Sequence, residues 1–115
     1  MTTFDEIRKE ITNQRYKPIY FLCGEEPFFI DRLTNLLEKQ ILTEEEKAFN
    51  QTILYGNEVA MSSVTDMARR FPMMAERQVI VVREAQNIRD FDNLVPYIDH
   101  FLPATMLVLA KKKKK

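Results

Sequence analysis

Residues 19–33, IYFLCGEEPFFIDRL, set five apolar side chains, Ile19 to Cys23, directly before a glycine and a helix start. A continuous apolar run of this length predicts a strand covered on both faces, ending at Gly24. Glu25 and Glu26 suit the positive end of a helix, and Pro27 suits its first turn. Phe29, Leu33, Leu36 and Leu37 then recur at helical spacing and predict one buried face carried toward Ile41 and Leu42.

The same grammar repeats along the chain. Phe4, Ile7 and Ile11 predict a short N-terminal helix that ends before Pro18. The acidic stretch Thr43 to Lys47 reads as a connection. AFNQTILYG then places Phe49, Ile53 and Tyr55 on one side of a second strand closed by Gly56. Ala60, Val64, Met67, Ala68 and Phe71 predict a second major helix, with Phe71 in the core. Val79 to Val82 is a third doubly apolar strand. Leu94, Val95, Ile98, Phe101 and Leu102 predict a further helix, capped by Asp92 or Asn93 and ended by Pro103. Thr105 to Ala110 is a fourth buried strand that stops at the lysine run Lys111 to Lys115. Strands alternating with helices in this way predict an α/β fold: a parallel sheet with helices on both faces and right-handed crossovers.

At 115 residues the chain has room for one core. No apolar run is long enough to span a membrane, and MTTFDEIRKE lacks the basic start and apolar stretch of a signal peptide, so a soluble, cytoplasmic protein is expected. One cysteine, Cys23, excludes an intramolecular disulfide and a multi-cysteine metal site, and with one histidine, His100, zinc ligation is not expected. The formal net charge is zero, but five of the 17 basic residues are the terminal lysines. Removing them leaves 12 basic residues against 17 acidic, a net of −5, which is not the balance of a general polyanion binder.

Parallel sheets usually carry their chemistry beyond the carboxyl ends of the strands. A phosphate loop GxxxxGK[ST] starting at Gly24 would need glycine, lysine and a hydroxyl where the chain has Phe29, Ile30 and Asp31. After the third strand stand Arg83 and Glu84, one carboxylate beside a cation, a poor magnesium site. With only Gly24 and Gly56 in the chain, no dinucleotide fingerprint GxGxxG exists. No cofactor and no catalytic residue is therefore expected. Cys23 reads as a small core thiol and His100 as a partner of a helix C-terminus. Glu25, Glu26 and Asp31 read as helix-start acids; the alternative is the acidic cluster of a flavodoxin-like receiver or small enzyme.

The stretch ARRFPMMAERQVIVV, residues 68–82, is the other unusual feature. Pro72 predicts that the preceding helix stops, so Met73 and Met74 are not simply more of its buried stripe. On residues alone the pair either packs across a helix-to-strand turn or is presented to a partner.

The opening from Ile19 to Leu33, the Tyr55-Gly56 end of the second strand, and Pro72-Met73-Met74-Ala75-Glu76-Arg77-Gln78-Val79 before the third together resemble the DNA polymerase III delta subunit family, in its N-terminal domain. TMLVLA followed by lysines is a further match, and the resemblance runs in order along essentially the whole chain. Met at both wedge positions departs from the aromatic or leucine common there. The family's middle and C-terminal collar domains have no counterpart, so residues 1–110 are expected to be a clamp-binding first domain and 111–115 a basic tail at its truncation point.

The resemblance implies a three-layer P-loop-NTPase-like (AAA+-like) fold with a degenerate nucleotide site, within a DNA polymerase III holoenzyme. It implies a non-catalytic clamp-loader domain that binds the ring-shaped sliding clamp through an apolar wedge and helps to open it during DNA replication. Carried over, the wedge is Met73 and Met74, with Phe71 and Pro72 beside them and Arg70 and Arg77 at the rim. Other clamp-loader subunits are implied partners through domains absent here. DNA is an expected partner through Lys111 to Lys115 or the intact complex.

Overall fold

The computed structural model describes residues 4–24 and 27–112. Four strands, β1 (Ile19–Gly24), β2 (Gln51–Tyr55), β3 (Gln78–Arg83) and β4 (Thr105–Lys112), form one sheet in the order β1-β4-β3-β2, every pair parallel. The helices are α1 (Phe4–Thr12), α2 (Pro27–Gln40), α3 (Glu44–Asn50), α4 (Met61–Ala68) and α5 (Leu94–Asp99).

The doubly apolar strands account for the layering. Val79 and Val81 of β3, Met106 and Val108 of β4, and Tyr20 and Leu22 of β1 pack with Ile30, Leu33 and Leu37 of α2 and Ile11 of α1. The alternate residues Ile80, Val82, Leu107 and Leu109 face Met61, Val64 and Ala68 of α4 and Leu94 and Tyr97 of α5. Such alternation requires cover on both sides, and the two helical layers provide it. The chain leaves β1 over one face to reach the far edge, then returns through β3 and β4 over the other. In a flavodoxin-like sheet the first strand lies between the second and third. Here β1 pairs with β4 among the described strands, so that alternative architecture does not describe the sheet.

Several local expectations are corrected. Thr43 to Lys47 is not a connection but the start of α3. The Thr43 hydroxyl accepts from the Glu46 amide at 3.2 Å, and the Glu46 carboxylate accepts from the Thr43 amide at 2.9 Å. This reciprocal capping box satisfies two otherwise orphaned donors. Phe49 therefore lies on α3 and is exposed, rather than on β2. The buried face of α2 runs through Ile30, Leu33, Thr34 and Leu37, turned so that Phe29 is largely outside. On α5 the buried positions are Leu94 and Tyr97, while Val95 and Ile98 are exposed; the helix ends at Asp99, and Phe101 beyond it is exposed as well. Asn93 stands at the N-cap position but makes no cap bond with its side chain, and Asp92 lies within the preceding 3-10 turn, Phe91–Asn93.

Cys23, expected in the core, is exposed, because β1 is an edge strand and its face beside Phe21 is only partly covered. Nor does β4 stop at the lysines: Lys111 and Lys112 pair with Cys23 and Gly24. Glu25, Glu26 and Lys113 to Lys115 lie outside the described residues.

Two buried tyrosines hold the segments that lead into β1 and β4. The Tyr20 hydroxyl accepts from the Lys17 amide at 3.1 Å, and that of Tyr97 from the Leu102 amide at 3.4 Å. Burial pushes both phenols above their ordinary value of 10.0.

Candidate functional site

At the carboxyl ends of the strands the prominent group is Arg83, the last residue of β3. Its guanidinium reaches across to α2, donating to Glu38 at 3.0 Å and to Asn35 at 2.7 Å, with Asp31 at 3.8 Å. Residues 31, 35 and 38 recur at i, i+4 and i+7, which puts them on one helix face toward the cation. Asp31 is thus paired to a cation across the cleft. Ile30, where a phosphate loop would need its lysine, is buried in the core beneath α2. Phe29 stands edge-to-face with Phe28, their centroids 5.6 Å apart. Among the described residues no group of three or more His, Cys, Asp or Glu side chains is placed to hold a metal ion.

Beyond β2, Gly56 is buried, and a Cβ there would overlap the carbonyl oxygen of Glu84. Glu84 has the left-handed φ of 54°. Glycine lets the chain after β2 lie against the turn after β3.

The opposite end of the sheet presents a different surface. Residues 69–77 join α4 to the amino end of β3. Met74 is 99% exposed, Phe71 76% and Met73 62%, so three large apolar side chains stand together in solvent. Phe71 is therefore corrected from core to surface. The helical stripe that suggested otherwise ends at Ala68. Its carbonyl accepts from the Thr105 hydroxyl at 2.7 Å, and those of Met67 and Arg70 accept from the Gln78 carboxamide.

The loop is held at both ends. Gln78 Nε2 also reaches the Thr105 hydroxyl, at 2.9 Å. At the middle of the loop the carboxamide of Asn50, the last residue of α3, grips Met73. Its Oδ1 accepts from the Met73 amide at 2.6 Å, and its Nδ2 donates to the Met73 carbonyl at 2.7 Å. The next residue, Met74, has a φ of 56°. For a residue with a Cβ this conformation costs about 1–2 kcal/mol, and such strain persists only where surrounding bonds enforce it.

Around the loop, Pro72 is half-buried and Arg70 is exposed. Arg77 is half-buried, its guanidinium 5.0 Å from the centre of the Tyr16 ring, a cation–π contact. His100 is exposed at the C-terminal end of α5, its backbone amide donating to the Tyr97 carbonyl at 3.1 Å.

Sequence reasoning missed Asn50, Gln78 and Thr105. Asn50 bonds Met73 23 residues away, Gln78 bonds Arg70, Met67 and Thr105 at separations of 8, 11 and 27, and Thr105 bonds Ala68 at 37; no local pattern marks such pairings.

Residues 20–115 match the family model described as DNA polymerase III, delta subunit. The DNA polymerase III subunit delta of Bacillus subtilis is 23% identical over 78 residues, covering 68% of this chain and 22% of that protein. In three dimensions the chain is similar to the DNA clamp loader delta protein of Bacillus subtilis, with a TM-score of 0.85 and 21% identity, over 96% of this chain and 36% of that one. The chain spans well under half the length of either relative. Among the described residues, no helix is long and apolar enough to cross a membrane.

Proposed function

Because the chain belongs to the DNA polymerase III delta subunit family, we propose that it is the clamp-contacting α/β domain of a clamp loader, with Met73 and Met74 as an apolar wedge for the sliding clamp. The observation that carries this reading is the presentation of the pair: Met74 is 99% exposed at a left-handed turn directly after Met73, whose amide and carbonyl are both bonded to Asn50. Burying a Met side chain is worth about 1.5–3 kcal/mol, so two of them anchor a contact of useful affinity. The unbranched thioether adapts to an irregular pocket. Phe71 extends the apolar surface, Pro72 fixes the turn, and Arg70 lies at the rim.

Opening a ring requires tighter binding to its opened form than to its closed one, and no hydrolysis by this domain. An AAA+-like sheet with a degenerate nucleotide site fits that role. Arg83, lining the carboxyl-end cleft, is paired with Asp31 and Glu38, and Ile30 is committed to the core. Other loader subunits would be engaged by segments beyond the N-terminal domain. A DNA contact through the lysines would form at the carboxyl end of β4, away from the wedge.

The deciding experiment measures the affinity of the 115-residue chain for the sliding clamp of the same organism. Met73→Ala with Met74→Ala is expected to weaken binding by about 3 kcal/mol or more, with little change in Tm. Binding retained at the wild-type level sinks the wedge.

A further inference from the structure

Met73 belongs to no strand, yet both its backbone groups are satisfied by one side chain. The Asn50 carboxamide accepts from its N–H and donates to its C=O, the pairing a neighbouring strand would otherwise supply. A third bond, from Asn50 Nδ2 to the Glu46 carbonyl at 3.2 Å, ties the same carboxamide to the last turn of α3. Asn50 is itself only 4% exposed. The bridge thus joins a rigid, capped helix to the exposed loop through a buried side chain with little freedom to move.

We propose that Asn50 is the positioning residue of the wedge: by fixing the Met73 peptide groups on both sides, it forces the turn at Met74 and holds the two thioethers outward before any partner arrives. This rests on the clamp-contact reading. The chemistry selects asparagine. Aspartate offers the acceptor without the donor, glutamine is a methylene too long for the same two atoms, and serine cannot reach both at once. Without the bridge, the loop would be ordered only on binding, and that ordering would be subtracted from the affinity.

The test compares Asn50→Ala, which removes both bonds, and Asn50→Asp, which keeps the acceptor and the side-chain volume. Leu37→Val is the control, because it loosens the core beneath α2 without touching residues 69–77. Each is measured for Tm, for hydrogen exchange at the Met73 amide, and for affinity toward the sliding clamp. In Asn50→Ala the Met73 amide is expected to lose its protection while the amides of Val79 to Val82 keep theirs, and clamp affinity to fall roughly tenfold. Asn50→Asp should fall between Asn50→Ala and wild type, and it carries the comparison where Asn50→Ala unfolds. Leu37→Val should lower Tm and leave the affinity unchanged.

Wild-type affinity in an Asn50 variant whose Met73 amide exchanges freely overturns the proposal. So does an equal loss of affinity in Leu37→Val at matched Tm. Met73→Ala with Met74→Ala separates the two levels of argument. If that variant binds normally, the wedge itself falls; if it fails to bind while Asn50→Ala binds normally, only the positioning role falls.

Discussion

Gln78 Nε2 donates to Thr105 Oγ1 at 2.9 Å, joining the first residue of β3 to the first residue of β4 through side chains as well as through the ladder. Thr105 passes the connection on, donating to the Ala68 carbonyl at 2.7 Å and so closing the end of α4. The hydroxyl is fully buried. Thr105→Val keeps its shape but takes the side-chain donor from the Ala68 carbonyl and one of three acceptors from Gln78 Nε2. The expected loss is about 1–3 kcal/mol, read from the shift in urea midpoint at constant m. An unchanged midpoint would show that the relay contributes nothing to stability.

Gly56→Ala tests the close approach between the turns that follow β2 and β3. The added Cβ would overlap a backbone carbonyl, that of Glu84, which cannot rotate aside as a side chain can. A cost of at least about 2 kcal/mol is expected by thermal or urea unfolding. Tolerance of alanine at wild-type Tm would refute the constraint.

Phe71→Ala separates a core role from a surface one. With the ring 76% exposed, stability should change by no more than about 0.5 kcal/mol. The same variant should bind the sliding clamp more weakly, since it removes the apolar flank of the Met pair. A large drop in Tm would return Phe71 to the core.

The buried tyrosines predict alkaline sensitivity. Burial raises the Tyr20 and Tyr97 phenols above 10.0, the value they take in the unfolded chain. The folded state therefore holds these protons more tightly. The stability this brings is complete below the unfolded pKa and declines as pH rises through it toward the folded values. Urea midpoints taken from about pH 8 to about pH 11 should fall, and Tyr20→Phe should flatten part of that fall. An equally steep decline in the variant would assign the effect to other groups.

The sheet was legible because three of its strands are short runs apolar on both faces, a pattern suited to strands between two helical layers, where β3 and β4 lie. What escaped depended on neighbours distant in sequence. Phe71 continues the helical stripe of Val64 and Ala68 faultlessly, but the helix stops at Ala68, where side chains from β3 and β4 capture its last carbonyls. Cys23 has the composition of a covered strand and the position of an edge one, and strand order cannot be read from a run of five residues. The helix α3 was legible after all: Thr43 and Glu46 stand at capping-box spacing, though the acidic composition suggested a connection. Of the candidate site, Met73 and Met74 were visible by their oddity before a strand, whereas Asn50, which holds them, announces itself only in three dimensions.

The placement of residues 69–77 also has a mechanical side. The loop runs directly into β3, which is hydrogen-bonded to β2 on one flank and β4 on the other. A pull on the Met pair along that axis loads both ladders in shear, with the rungs sharing the force. A loop mounted on an edge strand would instead have a ladder on one flank only to resist the same pull. β3 thus mounts the Met pair in the middle of the sheet and not at its edge.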